Sequence, residues 1–180
     1  MKKTVRSLLS CGVCVAFVLG GASVSFADIS SKDFKLVAKA VGFMKSGPSG
    51  DVDVLIVYDP ANPASKADAD ALNGILGGGL SEKGVTYKPV MTAVSGFSSA
   101  PSDSVVYVAN GMGAHHAAIG GVVKSSGVLS VSIDRACVDS AGCSMFVSSS
   151  PKVEIVLNKG AVEGSGIEFQ AAFKMMVTEI

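Results

Sequence analysis

Apolar residues recur along this chain with two different periods, and the order of those periods predicts its architecture. Phe34, Val37, Ala38, Val41 and Met44 fall at i, i+3, i+4, i+7 and i+10, one face of a helix, with Lys35, Lys39 and Lys45 off that face. Gly47-Pro48 and Ser49-Gly50 end it. Residues 52–58 then form a nearly unbroken β-branched run, the pattern of a strand covered on both faces. Asp59-Pro60-Ala61-Asn62-Pro63 cannot continue a strand. A helix carrying Ala71, Leu72, Ile75 and Leu76 is expected after it, with Ser65 as N-cap and Gly77-Gly78-Gly79 at its end. Further strands are predicted at 85–91, 104–109 and 128–133. Residues 95–102 read as loop, and 114–123 as a helix weakened by Gly120-Gly121.

Nearer the C-terminus, apolar runs at 145–147 and 153–157 flank Ser148-Ser149-Ser150-Pro151, which predicts a hairpin. The segment 167–180 is expected to be a closing helix with Ile167, Phe169, Phe173 and Met176 as its apolar stripe. Strands alternating with helices give βαβ units. The predicted fold class is therefore α/β: a mainly parallel sheet with flanking helices and a C-terminal antiparallel hairpin.

The first residues follow another pattern. Lys2, Lys3 and Arg6 precede an apolar stretch that closes on Ser25-Phe26-Ala27, with small residues at the −3 and −1 positions of a cut after Ala27. That order marks residues 1–27 as a secretory signal peptide, and places the mature protein in the periplasm. Removing 27 of 180 residues leaves 153, one domain at 28–180 with enough chain for a core. The mature chain keeps 12 of the 15 basic side chains against 15 acidic, net −3, which argues against nucleic acid as a partner. It holds no apolar run of about 18 residues, so no transmembrane segment is expected in it.

Cysteine use changes on processing too. Cys11 and Cys14 leave with the signal, and Cys137 and Cys143 remain as an even pair in an oxidising compartment. Their C-x5-C spacing is not the C-x-x-C of redox catalysts, so a structural disulfide is expected. Closing so short a loop stabilises by roughly 2–2.5 kcal/mol in the chain-entropy account.

Candidate chemistry is sparse. His115 and His116 are adjacent, point to different faces, and lack an acidic or cysteine partner at helical spacing, so no metal site and no cofactor are expected. There is no G-x-S-x-G, H-E-x-x-H or P-loop, and Gly111-Met112-Gly113 lacks the third glycine of a dinucleotide fingerprint. No catalytic residue is assigned, and the protein is expected not to be an enzyme. Asp51 and Asp53 share a face but read as a solvated strand start. One positional argument remains: an open parallel sheet binds ligands beyond the carboxyl ends of its strands. Those ends are Asp59-Pro60-Ala61-Asn62, Asn110-Gly111-Met112 and Asp134-Arg135. Phe43-Met44 and Met112 also place aromatic or Met side chains beside turns, as contact surfaces do. The candidate binding residues are thus Phe43, Met44, Asp59, Asn62, Asn110, Gly111 and Met112.

Several segments together resemble a known family. Val128-Leu129-Ser130-Val131-Ser132 leads to Gly142-Cys143-Ser144-Met145-Phe146-Val147, then Lys152-Val153-Glu154-Ile155-Val156-Leu157-Asn158, then Ser165-Gly166-Ile167. In order and spacing they resemble the YfiR family of periplasmic proteins. Phe43-Met44-Lys45-Ser46-Gly47-Pro48 is similar to that family's F-x-x-W-P helix ending, with Gly47 where Trp is usual. The resemblance implies a small α/β domain, often a homodimer. It implies a regulator that binds the periplasmic region of an inner-membrane diguanylate cyclase and represses it, acting on cyclic-di-GMP signalling and biofilm formation. Cys137 and Cys143 stand where the family's C-terminal bridge lies; its other bridge has no counterpart in 28–180. The alternative is a small-molecule binding protein, because Asp59 to Ser65 after an apolar strand also resembles the first lobe of ABC-type solute-binding proteins.

Overall fold

The apolar run at 52–58 lies at the centre of the molecule because each of its faces is covered. Val54 and Ile56 join one buried cluster, and Leu55 and Val57 join another on the opposite side. A strand covered on both sides has no polar alternation to show, which is why its sequence is continuously apolar. The structure, a computed structural model, describes residues 28–180; the signal-peptide reading of 1–27, with Cys11 and Cys14, lies outside the described residues. In chain order the elements are α1 (Ser31–Val41), β1 (Gly50–Tyr58), α2 (Pro63–Gly77), β2 (Leu80–Glu82), β3 (Val85–Ala93), β4 (Val105–Val108), α3 (His116–Ser126), β5 (Leu129–Ser132), α4 (Arg135–Asp139), β6 (Met145–Ser148), β7 (Glu154–Leu157), α5 (Lys159–Gly164), α6 (Ala171–Lys174) and β8 (Thr178–Glu179).

Among the described residues these strands form one eight-stranded sheet in the order β2-β3-β1-β4-β5-β6-β7-β8. The five strands from β3 to β6 run parallel, β2 is antiparallel to β3, and β7 is antiparallel to β6. The fold is α/β, with the C-terminal hairpin in place. The chain passes from β1 through α2 to β3 on one side, then returns to β4 on the other side of β1. The sheet therefore changes winding direction between β1 and β4, the place where open sheets leave a crevice beyond their strand ends.

The two faces are built differently. Phe34, Val37 and Val41 of α1 and Leu72 and Leu76 of α2 pack on one face, joined by Phe169 and Phe173. Phe173 lies between Phe43 and Phe169, with ring centroids 5.3 and 4.9 Å away. Burying a ring of this size contributes roughly 1.5–3 kcal/mol. The other face is covered by Ile119 and Val123 of α3 and by the Cys137–Cys143 disulfide, both of whose cysteines are buried.

Several expectations are corrected. Asn62, not Ser65, caps α2: its Oδ1 accepts from the Ala64 and Ser65 amides at 3.0 and 3.4 Å. Pro63 then fills the first helical position, where its missing N–H costs nothing. Ser65 is buried, and its hydroxyl oxygen accepts from the Asp59 amide at 3.0 Å. Gly120-Gly121 does not stop α3. A Cβ at Gly120 would lie 2.8 Å from the Ala141 carbonyl oxygen, so that glycine lets the helix approach the 140–143 turn. The long closing helix is not formed. Ile167, Phe169 and Phe173 are buried as expected, but α6 is one turn long, and Met176 is 65% exposed as the chain runs out into β8. The short elements β2, α4 and α5 carry too few residues for a periodicity to register.

Candidate functional site

Three strand ends and the segment before α1 enclose an open crevice of about 290 Å³. Asn110 enters it from the end of β4, Ile133, Asp134 and Arg135 from the end of β5, and Val147 to Ser150 from the end of β6. Asp28, Ser30 and Asp33 line it from the N-terminal segment. It lies beyond the carboxyl ends of β4, β5 and β6, on the β4 side of the change in winding direction.

Two buried carboxylates hold this geometry. Asp33 closes a reciprocal cap at the start of α1: Ser30 donates both its amide and its hydroxyl to Oδ2. Its other oxygen accepts from the Ser149 amide at 2.6 Å, which ties α1 to the hairpin turn. Burial pushes the Asp33 carboxyl up, but the hydrogen bonds from Ser30 and Ser149 together outweigh it and leave it below its ordinary value. Asp68, fully buried in α2, accepts from the Ile29 amide at 2.7 Å, the Tyr107 hydroxyl at 2.8 Å and the Asn110 amide at 2.9 Å. Burial dominates here and raises the Asp68 carboxyl despite its three donors. Asp68 thereby joins α2, β4 and the N-terminal segment under the crevice.

The residues expected at the site fall into three groups. Asn110 and the Asp134-Arg135 pair do line the crevice. Asn62 and Gly111 act on its support. Asn62 Nδ2 donates to the Gly111 carbonyl at 2.9 Å, and Gly111 has φ +72°, with the Asn62 amide 2.6 Å from where a Cβ would stand. No other residue type fits there without strain. Asp59 accepts from the Ala61 amide at 2.9 Å and faces His115 Nε2 at 3.8 Å.

The remaining three lie elsewhere. Met112 is fully buried among Val106, Val108 and Ile119, which removes its side chain from any surface contact. Phe43 stacks on Phe173 and carries Lys83 Nζ 5.2 Å from its ring centroid. Met44 bridges to Phe169. Both serve the core on the far side from the crevice, because the apolar stripe of α1 continues through the turn that ends it.

Sequence reading missed Asp68 and set His116 aside. Asp68 had a visible signal: Ser65, Asp68, Leu72 and Leu76 share one buried face of α2, and a carboxylate in such a stripe needs internal donors. His116, at the start of α3, is buried against the disulfide-bearing 137–143 turn. A Cβ on Gly142 would lie 2.7 Å from His116 Cβ, so Gly142 makes room for it. The Ser140 hydroxyl donates to the Ala136 carbonyl at 2.7 Å, and its oxygen lies 3.2 Å from His116 Nδ1. With the hydroxyl proton on that carbonyl, the ring proton sits on Nδ1 and Nε2 is an acceptor. Asp134 Oδ2 stands 3.9 Å from Nε2. Ser140, His116 and Asp134 thus lie in a chain, with the Ser140 hydroxyl also within reach of the Ala136 and Cys137 carbonyls. His115 and His116 point apart, toward Asp59 and Asp134. Among the described residues no cluster of three or more metal-ligating side chains occurs, and no helix is long and apolar enough to cross a membrane.

No protein-family model matches the chain, and no curated relative does either. Solved structures do. The chain is similar to the ligand-free, open structure of CD0873, a substrate binding protein with adhesive properties from Clostridium difficile, with TM-score 0.54 and 13% identity over 86% of this chain and 60% of that one. It is also similar to a conserved domain protein from Vibrio cholerae O1 biovar El Tor, with TM-score 0.54 and 16% identity over 85% of this chain and 61% of that one. The chain spans about three fifths of the length of each. At such identities the likeness shows the fold: the described residues have an α/β architecture of the kind found in a substrate-binding protein.

Proposed function

We propose that this chain is a non-enzymatic periplasmic regulator that binds the extracytoplasmic region of an inner-membrane signalling protein of diguanylate-cyclase type and lowers its output. The observation that supports this most is how the segments resembling the YfiR family assemble. Residues 128–132, 142–147 and 152–158 become the adjacent strands β5, β6 and β7, and 165–167 leads the chain back to the buried aromatic group. Motifs separated in sequence thus make one continuous part of the sheet, and the Cys137–Cys143 disulfide closes the loop between β5 and β6. That disulfide is compatible with a periplasmic or extracellular location.

A second reading is a small-molecule binding protein. It draws on the crevice beyond the strand ends and on the likeness to a substrate-binding fold. ABC-type proteins close two lobes on their ligand, and the single sheet described here offers one rim of such a cleft. A pull-down of the mature protein from its native envelope, paired with a deletion strain, separates the two. Recovery of a membrane cyclase and raised cyclic-di-GMP on deletion is the expected result. Recovery of a transporter permease with unchanged cyclic-di-GMP would favour the second reading.

A further inference from the structure

Among the described residues, His116 Nε2 is a buried side-chain polar atom with no hydrogen-bond partner. Such an atom is costly unless something else is gained by it. Its surroundings are specific. Ser140 holds Nδ1, Gly142 packs on the Cβ, and the carboxylate of Asp134 faces Nε2 across 3.9 Å. The charged and titratable groups facing this ring are Asp134 at the start of α4 and His115 next to it on the chain, with His115 turned toward Asp59. With the ring proton on Nδ1, Nε2 and the carboxylate are two facing acceptors that lack only a proton.

Asp134 also belongs to the crevice. Its Oδ1 accepts from the Ala136 amide at 2.9 Å, its own amide donates to the Ser132 hydroxyl at 3.0 Å, and it precedes Arg135. The Arg135 guanidinium lies 5.8 Å from the Phe146 ring centroid and reaches Asp139 at 2.8 Å and Glu154 at 3.5 Å. We propose that His116 and Asp134 form a proton-operated latch on the crevice rim. A proton from solvent, taken up by Nε2, turns the two facing acceptors into donor and acceptor and draws the Asp134 carboxylate toward the ring. A charge-assisted contact of this kind closes to about 2.7–2.9 Å, so the carboxylate moves by about 1 Å. Asp134 then turns from the crevice to the interior, and Arg135 is left as the charged group that the β5 end offers to a ligand or partner. At neutral pH burial holds the ring neutral, below its ordinary titration range, so the latch engages on acidification. A periplasmic domain is exposed to such changes in its medium.

The inference rests on the crevice as the working rim, but its test reads the latch directly, so it stands or falls apart from the pull-down. The experiment follows the His116 ring and the backbone amides of 134–136 by NMR between pH 4 and 8 in the full mature chain. The ring is expected to be the neutral Nδ1–H tautomer at pH 7.5 and to take up its proton below about pH 6.5. The Arg135 and Ala136 amides should follow the same midpoint, and lose that step in His116→Gln. Asp134→Asn removes the counter-charge and should lower the His116 midpoint by about 0.5 pH unit or more. A ring already charged at pH 7.5 would overturn the proposal. So would amides that stay still while the ring titrates, or an unchanged His116 midpoint in Asp134→Asn, an arm that also decides the matter if His116→Gln does not fold.

Discussion

Asp68 and His116 are both buried titratable side chains beneath the same crevice, one on each face of the sheet. Asp68 collects three donors, one from the N-terminal segment and two from β4 and its end. His116 has one partner for two ring nitrogens. A buried group whose bonds are all made resists change, because every movement breaks one of them. A buried group with one bond unmade can answer to a proton at little structural cost. The difference separates the support of the site from the part of it able to respond.

The largest expected effect falls on Asp68. Asp68→Ala leaves the Ile29 and Asn110 amides and the Tyr107 hydroxyl without their acceptor, and at about 1–3 kcal/mol for each orphaned group, less what water recovers, the loss is about 3 kcal/mol by denaturant unfolding. A loss below about 1 kcal/mol would remove Asp68 from its supporting role and break the comparison.

Replacing Cys137 and Cys143 together with Ser comes next. The expected loss is roughly 2–2.5 kcal/mol, because the bridge closes a short loop. The same variant sharpens the comparison, since it loosens the 137–143 turn that holds Ser140 and Gly142 against His116. Its His116 midpoint should move back toward the ordinary value while the Asp68 contacts persist. An unmoved midpoint would show that the turn does not set the ring's environment.

The pH dependence of stability distinguishes the pair by sign. His116 has its folded pKa lowered, so between that value and the ordinary 6.5 the unfolded chain binds more protons. Its contribution is fully present above 6.5 and is lost as pH falls through that window. Asp68 has its folded pKa raised, so between the ordinary 3.8 and that value the folded chain binds more protons, and its contribution improves as pH falls. His116→Gln should therefore change stability at pH 7.5 by less than about 1 kcal/mol. It should also flatten the decline just below pH 6.5, a slope of at most about 1.4 kcal/mol per pH unit. Denaturant titrations at pH 7.5, 6.5 and 5.5 read both. An undiminished slope in the variant would assign the decline to other groups.

The smallest effect is expected at the surface. The Lys45–Glu168 pair is 2.7 Å long, but both side chains are largely exposed. Lys45→Ala should leave stability close to that of the unaltered protein, with any loss smaller still at high salt. A loss near that of Asp68→Ala would mean that proximity, not burial, decides which contacts matter here.

Much of the architecture is legible in local pattern. The runs at 52–58, 104–109 and 128–133 each become a parallel strand, because a strand covered on both faces must be apolar at nearly every position. The hairpin is legible because Ser148-Ser149-Ser150-Pro151 offers no ladder to continue. The C-terminal helix misled, since Ile167, Phe169 and Phe173 are spaced for one face yet reach the core from a bend and a single turn. Of the site, the strand-end loops with Asn110, Asp134 and Arg135 were legible through topology alone. Met112 was not, because apolar side chains beside turns occur in cores and on surfaces alike.

By itself the sequence determined the strands at 52–58, 104–109 and 128–133, the hairpin that follows them and the pairing of Cys137 with Cys143, since those follow from periodicity and spacing within a few turns of chain. Only the tertiary structure decided that Asp68 meets Ile29, Tyr107 and Asn110, 39 to 42 residues away, and that His116 faces Asp134 across the 140–143 turn. Burial and partner choice depend on which segments the sheet order brings together, and no local pattern carries that information.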